Sequence, residues 1–221
     1  MYKKYIKRIL DFILSLIAII VLSPILLISA ILVRIKLGSP VIFKQKRPGK
    51  DEKIFTLYKF RTMTDEKDEE GNLLPDSERI TKFGKFLRST SIDELPELIN
   101  ILKGDMSIVG PRPLLIRDMI FMTDEQRKRH SVRQGLTGLA QVNGRNNVNW
   151  EDKINYDLQY IEKITFTGDV KIVLKTVGKV FARKDIETDG MDTAEDLCDY
   201  LLRTEKISKK DYEDKLEMIG R

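Results

Sequence analysis

The chain is nearly devoid of the two residue types that most often bind transition metals. Cys198 is the only cysteine and His130 the only histidine among 221 residues. A disulfide within the chain is therefore excluded, which suits a reducing compartment. A zinc site made of several Cys and His ligands is excluded, as is a Cys–His catalytic pair unless His130 folds next to Cys198. Any bound metal is expected to be a hard cation held by carboxylate and phosphate oxygens.

Charge is distributed unevenly along the chain. Residues 185–221 contain 12 Asp/Glu and 6 Lys/Arg, whereas residues 1–184 contain 22 Asp/Glu and 33 Lys/Arg. A basic body favours anionic partners such as phosphorylated substrates, lipid headgroups or nucleic acid, and charge alone does not choose among them. The length fits one modest domain with an appendage, and no internal repeat or low-complexity tract is present.

A long uncharged segment lies near the N-terminus. From Phe12 to Val33 there are 22 residues without a charged side chain. As a helix this segment would be ~33 Å long, enough to cross the hydrocarbon core of a bilayer. It is longer than the apolar part of a usual secretory signal, and no cleavage site of small residues follows it. We therefore expect a retained membrane segment.

Basic residues flank this segment on both sides, as Lys3, Lys4, Lys7 and Arg8 before it and as Arg34 and Lys36 after it. Because basic residues mark the cytoplasmic side, a straight span would place one flank on the disfavoured side. Ser23 and Pro24 lie at the midpoint, where proline removes a backbone donor and bends a helix. This pattern predicts a helix that enters, breaks near Pro24 and returns to the same face. A single span with a modest kink is the alternative, and the Ser23 hydroxyl is a candidate partner for a freed carbonyl.

The body of the chain mixes short strands with helices. Strand patterns occur at residues 40–43 and 54–58, and helical periodicity occurs at 94–102, 150–163 and from Asp169 onward. Residues 135–145, rich in Gly and Asn, predict a loop. In the helix after Asp169, apolar residues form one stripe and lysines lie outside it, which fits either an interfacial amphipathic helix or an ordinary core-facing one. Trp150 is expected in the core and His130 on the surface.

Asp93 and Glu94 are the strongest candidates for chemistry. Ser91 and Glu94 fit a capping box at the start of a helix, which is a sufficient structural reason for both. It does not explain Asp93. Two adjacent carboxylates at a helix N-terminus stay ionised, and such a pair can attack phosphorus and hold a divalent cation. Arg112, between Pro111 and Pro113, is either a rigidly presented phosphate ligand or an exposed turn residue.

Four sequence clusters, read in order, make the chain resemble a known family: residues 59–63, 88–96, 102–113 and 133–145. They include Asp-Glu-Leu-Pro, Lys-Gly-Asp-Met-Ser-Ile-Val-Gly-Pro-Arg-Pro and Thr-Gly-Leu-Ala-Gln-Val-Asn-Gly-Arg. With the N-terminal apolar segment, they are similar to the bacterial sugar transferases, the monotopic phosphoglycosyl transferases. The resemblance covers roughly residues 1–184 and is closest to minimal single-domain members such as the enzyme that starts bacterial protein N-glycosylation.

The resemblance implies an α+β, mostly helical monotopic membrane protein. It would have an N-terminal re-entrant helix-break-helix hairpin (residues 1–36) broken at Ser23 and Pro24. A catalytic domain on the cytoplasmic face of the bacterial inner membrane (residues 37–184) would carry a small β element and interfacial amphipathic helices. The acidic extension 185–221 matches nothing in the family and has no assigned role. Gln134 stands where the family usually has proline, which is expected to loosen a turn.

The resemblance also implies the reaction and its residues. A sugar-1-phosphate would pass from a UDP-sugar, most closely an N-acetylated amino sugar, to polyprenyl (undecaprenyl) phosphate, with release of UMP. Asp93 would be the nucleophile that forms a covalent phosphosugar intermediate, and Glu94 would help to hold Mg²⁺. The remaining implied ligands bind phosphate or nucleotide: Lys59, Arg88 and Arg112 for phosphate, and Gln141 and Arg145 for the nucleotide.

Two other functions remain open from the residues alone. A membrane-tethered module could use the basic body to hold an anionic lipid, but it would give no reason for Asp93 and Glu94 beside basic residues. A metal-dependent phosphodiesterase acting on lipid pyrophosphates would hydrolyse them without an acceptor. We expect membrane lipid, but not nucleic acid, as a partner. The sequence does not decide the sugar, the pathway or whether the chain forms homo-oligomers.

Overall fold

The structure is a computed structural model that describes residues 1–144, 149–182 and 195–220. Arg145, a predicted nucleotide ligand, lies outside the described residues. A π-helical turn, Tyr2–Ile6, precedes the first α-helix. The elements are, in chain order, α1 (Lys7–Leu37), β1 (Ile42–Pro48), β2 (Ile54–Phe60), α2 (Asp76–Arg79), α3 (Lys82–Ser89), α4 (Glu97–Lys103), β3 (Met106–Val109), α5 (Ile116–Phe121), α6 (Asp124–Arg127), β4 (Gln134–Thr137), α7 (Leu139–Asn143), α8 (Trp150–Glu162), α9 (Phe166–Ala182), α10 (Leu197–Arg203) and α11 (Lys209–Gly220).

The small β element consists of two pairs of strands. β1 and β2 are antiparallel, with Ile42 opposite Phe60 and Pro48 opposite Ile54. β3 and β4 are parallel, with Met106 opposite Gln134. Helices make up most of the other described residues, so the predicted α+β, mostly helical class is confirmed.

Three local predictions are wrong. The helix expected from residue 94 begins at Glu97, because Ser91 adopts a left-handed conformation (φ 55°) and forms no side-chain cap. The loop expected at 135–145 contains β4 and α7, and Gln134 lies in the strand rather than loosening a turn. His130 is 1% exposed instead of lying on the surface. In each case tertiary packing overrides a local composition signal.

Pro24 lies inside one continuous helix, α1, rather than between two helices. Proline cannot donate to the carbonyl four residues earlier, which is that of Ile20. The hydroxyl of Ser23 donates to this carbonyl at 2.7 Å, as its position suggested. The freed acceptor is therefore satisfied, and helical backbone continues from Lys7 to Leu37.

One face of α1 packs against the body along the whole helix. Ala18, Ile19 and Leu22 contact a core cluster that includes Leu57 and Ile101. Further along, Val33 and Leu37 belong to a second cluster. The opposite face exposes large apolar side chains, including Ile9, Ile17, Ile20, Leu27, Ile31 and Ile35. By length and composition, Tyr2–Leu37 is sufficient to cross a membrane.

Polar contacts fix the N-terminal half of α1 to the body. The buried carboxylate of Asp11 accepts from the Ser107 hydroxyl at 2.7 Å and from the Ile108 N–H at 3.0 Å. The Arg8 guanidinium donates to the carbonyls of Ile101 and Leu102, at 2.6 and 2.9 Å, near the end of α4. These contacts satisfy carbonyls that a helix C-terminus leaves without an intrahelical partner.

α9 has two different apolar faces. Ile172 is 5% exposed and belongs to a core cluster. Val170, Leu174 and Val177 are exposed on the protein surface, in the same helix as Lys171 and Lys175. Core packing therefore explains only part of the stripe, and the exposed part favours the amphipathic interfacial alternative.

The described part of the C-terminal extension forms α10 and α11. Leu197 joins a core cluster with Met122, Trp150 and Ile154. Trp150 is 8% exposed, as expected for a core residue. Because Leu197 is 2% exposed, this part of the extension is integrated into the body of the protein.

Candidate active site

Asp93 and Glu94 lie in a short 3-10 turn, Ile92–Glu94, between α3 and α4. The left-handed conformation of Ser91 turns the chain sharply out of α3, and α4 begins directly after Pro96. Asp93 is 7% exposed, yet it lines a cleft of about 760 Å³. Across the described parts of the chain, no hydrogen bond or ion pair is formed to its carboxylate. A buried acidic group is thus left available to a ligand.

Glu94 is held between two cations from different parts of the chain. Its Oε1 lies 2.8 Å from Nζ of Lys59, in β2, and 2.8 Å from Nη2 of Arg112. Burial alone would raise the pKa of Glu94, but the two cations outweigh it and hold that pKa well below its usual range. Glu94 is therefore ionised, and it fixes the positions of Lys59 and Arg112.

Asp93 has the opposite electrostatic environment. Burial and the negative charge of Glu94 raise the pKa of Asp93 to about 6, although Lys59, Arg88 and Arg112 act to lower it. At neutral pH Asp93 is therefore ionised in most molecules, but its surroundings stabilise the negative charge poorly. An ionised carboxylate of this kind is a competent nucleophile.

Glu97 is a third carboxylate at this site, and the sequence reasoning missed it. Its Oε1 lies 3.2 Å from Nζ of Lys59, and its side chain is 4% exposed. Burial raises the pKa of Glu97 to about 7, against the attraction of Lys59. Its position three residues after Glu94 could have indicated Glu97 as a site residue, since residues three apart lie close together in a helical turn.

Arg88 reaches the cleft because α3 packs tightly on the segment after β2. A Cβ on Gly84 would lie 1.8 Å from the carbonyl oxygen of Thr62, so only glycine permits this approach. Because α3 lies this close to Thr62, Arg88 Nε donates to the Thr62 hydroxyl at 3.1 Å. Lys59, Arg88 and Arg112, the three predicted phosphate ligands, all line the same cleft as Asp93.

The segment that carries Arg112 is fixed by its backbone. The N–H of Gly110 donates to Thr137, and the N–H of Gly135 donates to Pro111, at 2.9 and 2.8 Å. Arg129 donates to the Arg112 carbonyl at 2.6 Å. The side chain of Arg112 remains 45% exposed. A rigid backbone thus presents a guanidinium that a substrate can reach, which supports the phosphate-ligand interpretation over an exposed turn.

Arg129 was not among the sequence candidates. It is completely buried and pairs with Asp157 at 2.7 Å, and both residues line the cleft. The two are 28 residues apart in the chain, so no local pattern indicated the pair. Of the predicted nucleotide ligands, Gln141 does line the cleft.

The acidic side chains fit a metal only when it is shared with a substrate. Within the described ranges, no group of three or more His, Cys, Asp or Glu side chains could hold a metal ion. Mg²⁺ is commonly bound by one or two carboxylates together with substrate phosphates and water. Asp93 and Glu94 offer such carboxylates at the cleft, so they fit a cation that arrives with a diphosphate.

Comparisons with known proteins identify a family that this chain is similar to. The family model described as "Bacterial sugar transferase" matches residues 2–183. The sugar transferase EpsL of Bacillus subtilis is 50% identical over 189 residues, which is 86% of this chain and 94% of that protein. The UDP-glucose:undecaprenyl-phosphate glucose-1-phosphate transferase of Klebsiella pneumoniae is 43% identical over 80% of this chain. The UDP-N-acetylgalactosamine-undecaprenyl-phosphate N-acetylgalactosaminephosphotransferase of Aeromonas hydrophila is 39% identical over 78% of this chain. The chain spans 40% and 43% of the lengths of these last two proteins.

Proposed function

The chain belongs to the bacterial sugar transferase family, and we propose that it transfers a sugar-1-phosphate from a UDP-sugar to undecaprenyl phosphate. The products are the undecaprenyl diphosphate sugar and UMP. Relatives whose names state this type of reaction cover most of this chain. The observation that carries the proposal is the carboxylate of Asp93, which lines the same cleft as Lys59, Arg88 and Arg112 and has no hydrogen-bond partner among the described residues.

The reaction proceeds in two displacements at the same phosphorus atom. A carboxylate oxygen of Asp93 attacks the β-phosphorus of the UDP-sugar, and the bond from this phosphorus to the bridging oxygen breaks, so that UMP leaves with that oxygen. An oxygen of undecaprenyl phosphate then attacks the aspartyl phosphosugar, and Asp93 is released as a carboxylate. Two steps on one nucleophile predict ping-pong kinetics.

The cations around Asp93 supply charge neutralisation. Phosphoryl transfer depends mainly on positioning and on stabilising the charge of the phosphoryl oxygens. Lys59 and Arg112 are held in place by Glu94, and Arg88 is held by Thr62. Mg²⁺ is part of the proposal: Glu94 would help to hold it together with the diphosphate, where it would add further neutralisation.

We place the catalytic site at the cytoplasmic face of the inner membrane, with α1 entering the bilayer without crossing it. Body residues contact α1 from Asp11 to Leu37, so a perpendicular span would carry polar body residues into lipid. The exposed apolar faces of α1 and α9 supply a lipid-facing surface. This arrangement lets a water-soluble UDP-sugar and a membrane-embedded lipid phosphate meet Asp93.

We propose that the transferred sugar is an N-acetylated amino sugar. The proposed pathway is glycoconjugate assembly, with protein glycosylation as one branch. The names of the relatives include glucose, galactose and N-acetylgalactosamine. UMP release from a panel of UDP-sugars, with undecaprenyl phosphate as acceptor, decides among them. Highest kcat/KM for a sugar without an N-acetyl group would overturn this assignment of the sugar.

The role of Asp93 as the nucleophile is tested by measuring UMP release from the wild-type protein and from Asp93→Asn, both reconstituted in lipid vesicles of the same composition. The wild type is expected to release one UMP per protein without acceptor and to turn over only when undecaprenyl phosphate is added. Asp93→Asn is expected to lose at least about 10³-fold of this activity, because the covalent step is removed. The matched control is Asp214→Asn, which neutralises an exposed aspartate in α11. Continuous UMP release without acceptor would instead indicate a phosphodiesterase.

A further inference from the structure

Unpaired polar atoms are concentrated in the active-site cleft. Of six buried side-chain polar atoms without a hydrogen-bond partner in the described parts of the chain, four belong to cleft-lining residues: Arg47 Nε, Arg117 Nε, Gln141 Oε1 and Asp157 Oδ1. Leaving a buried polar atom unpaired costs about 1–3 kcal/mol, so such atoms are rare unless a ligand satisfies them. Two of these atoms belong to donors and two are acceptors.

This combination identifies the chemistry of the missing partner. A diphosphate offers only hydrogen-bond acceptors, so it can satisfy Arg47 and Arg117 but not Gln141 or Asp157. The two acceptor atoms require an O–H or N–H group. In a UDP-sugar such groups occur on the sugar, the ribose and the uracil ring. We therefore assign Gln141 and Asp157 to the part of the cleft that binds the sugar, ribose or uracil of the donor substrate, and Arg47 and Arg117 to groups of this substrate that accept hydrogen bonds.

The C-terminal extension holds one of these residues in place. Asp196 forms an ion pair with Arg117, in α5. The next residue, Leu197, donates its N–H at 2.9 Å to Asp118, whose other oxygen accepts from Leu115 at the start of α5. Asp118 is 2% exposed, and its two hydrogen bonds connect the extension to the start of α5.

The extension also covers the wall of the cleft that α8 forms. Trp150 Nε1 donates to the carbonyl of Glu195 at 3.2 Å, and Leu197 packs on Trp150 and Ile154. Glu195 and Asp196 themselves line the cleft. The family match ends at residue 183, so these contacts are an addition to the part that the family shares.

We propose that residues 195–197, at the start of the described C-terminal extension, are a positioning element for donor-substrate binding, in which Asp196 orients Arg117 toward the UDP-sugar. This inference rests on the proposed function for the identity of the substrate. It adds a role for a segment outside the family match and three substrate contacts, Arg47, Arg117 and Asp157, to the cleft.

The test uses the full-length protein and direct binding as the first measurement. Dissociation constants for UMP and for the preferred UDP-sugar are measured for the wild type, Asp196→Asn, Arg117→Gln, the double variant and Glu213→Gln. Glu213→Gln is the matched control, because it neutralises one acid of the extension at an exposed ion pair with Lys209. KM and kcat are then measured separately for the UDP-sugar and undecaprenyl phosphate.

Asp196→Asn and Arg117→Gln are each expected to weaken UDP-sugar binding about tenfold, the effect of one charge-assisted hydrogen bond. The KM for undecaprenyl phosphate and kcat should change less than about twofold, since the lipid phosphate does not contact Arg117 in this proposal. The double variant should bind no more weakly than Arg117→Gln, because Asp196 acts through Arg117. Asp196→Glu, which restores the charge, should recover most of the affinity.

Unchanged or tighter UDP-sugar binding in Asp196→Asn would overturn the proposal, and so would losses that add in the double variant. Because Arg117 is 42% exposed, Arg117→Gln tests the contact even if Asp196→Asn unfolds. Weaker UMP binding would assign the contact to the nucleoside, and unchanged UMP binding would assign it to the sugar. Either result supports the subsite. A wild type that binds the UDP-sugar but releases no UMP would refute the proposed reaction and leave the subsite intact.

Discussion

Asp11 and Ser107 form a buried hydrogen bond of 2.7 Å that joins the N-terminal helix to β3. The second oxygen of Asp11 accepts from the Ile108 N–H at 3.0 Å. The loop after β3 carries Arg112, so the membrane helix and the catalytic site share one structural support. The contribution of this contact to the packing of α1 on the body can be measured as a change in the free energy of unfolding.

Asp11→Ala is expected to destabilise the protein by about 1–3 kcal/mol, because the Ile108 N–H would lose its acceptor. The Ser107 hydroxyl would keep only the Val109 carbonyl, at 3.0 Å, as an acceptor. The measurement is the midpoint of thermal unfolding in detergent, with Asp214→Ala as the control for an exposed aspartate. Equal midpoints for the two variants would show that the contact does not stabilise the docked helix.

Asp93 is expected to reduce stability at neutral pH. Its pKa is raised from 3.8 to about 6, so the folded state binds this proton more tightly than the unfolded state. The stabilising contribution of the group is therefore complete below pH 3.8 and is lost as the pH rises through about 6. Asn stays neutral throughout this range.

Asp93→Asn should consequently be more stable than the wild type at pH 8, by roughly 1–3 kcal/mol. The difference should shrink toward pH 4. Unfolding midpoints across this range provide the measurement. A variant that is less stable at pH 8 would contradict the sign of the shift and show that the surrounding cations favour the ionised form.

Glu94 and Glu97 should respond differently to the same substitution. Glu94 is ionised and holds Lys59 and Arg112, so Glu94→Gln loses two charge-assisted contacts and is expected to reduce kcat/KM by about 10²-fold or more. Glu97 has a pKa raised to about 7, so Glu97→Gln imitates its protonated form.

Glu97→Gln should therefore cost less than about tenfold at pH 6, and the loss should increase toward pH 8.5, where the wild-type residue is charged. The measurement is UMP release at both pH values for both variants. If Glu97→Gln lost as much activity as Glu94→Gln, and if this loss did not change with pH, Glu97 would act through packing alone.

Short-range patterns predicted much of the fold. The apolar segment, β2, α8 and α9 lie where periodicity placed them, within a few residues. The first strand, expected at 40–43, is instead found at Ile42–Pro48. Gly104 follows α4 in the left-handed conformation that glycine often adopts after a helix, with φ of 92°. These features depend on the residues within one or two turns, which is the range that a sequence pattern samples.

Features set by distant contacts were not predictable in this way. Ser91 and Glu94 fit a capping box, but Pro96 and the ion pairs of Glu94 give that segment a different geometry. The burial of His130 and the contact of Arg129 with Asp157 depend on segments far apart in the chain. The roles proposed for Asp93 and Glu94 depend on the resemblance to a family, because an Asp-Glu dipeptide alone is too common to indicate a catalytic pair.

Gly84 tests how closely α3 must approach the cleft. Gly84→Ala would place a Cβ 1.8 Å from the Thr62 carbonyl oxygen, so backbone must shift and Arg88 must move with α3. We expect a destabilisation of about 1–3 kcal/mol and a higher KM for the UDP-sugar. Gly178→Ala is the control, because no atom lies within 4 Å of its added Cβ in α9. It should be neutral or stabilising by up to about 1 kcal/mol. Equal effects in the two variants would contradict the packing argument.

The path of α1 through the membrane is tested by labelling both of its flanks. Lys4 and Lys36 are exposed at opposite ends of the helix, and Cys198 is fully buried, so single cysteines can be introduced at each flank in a Cys198→Ala protein. If α1 enters the bilayer without crossing it, an impermeant thiol reagent should label both positions in inside-out vesicles and neither position from the periplasmic side. We expect this result because residues of the body contact both halves of α1, from Asp11 to Leu37. Labelling of Lys4→Cys and Lys36→Cys from opposite sides would mean that the helix crosses the bilayer, and the contacts between its two halves and the body could not then coexist.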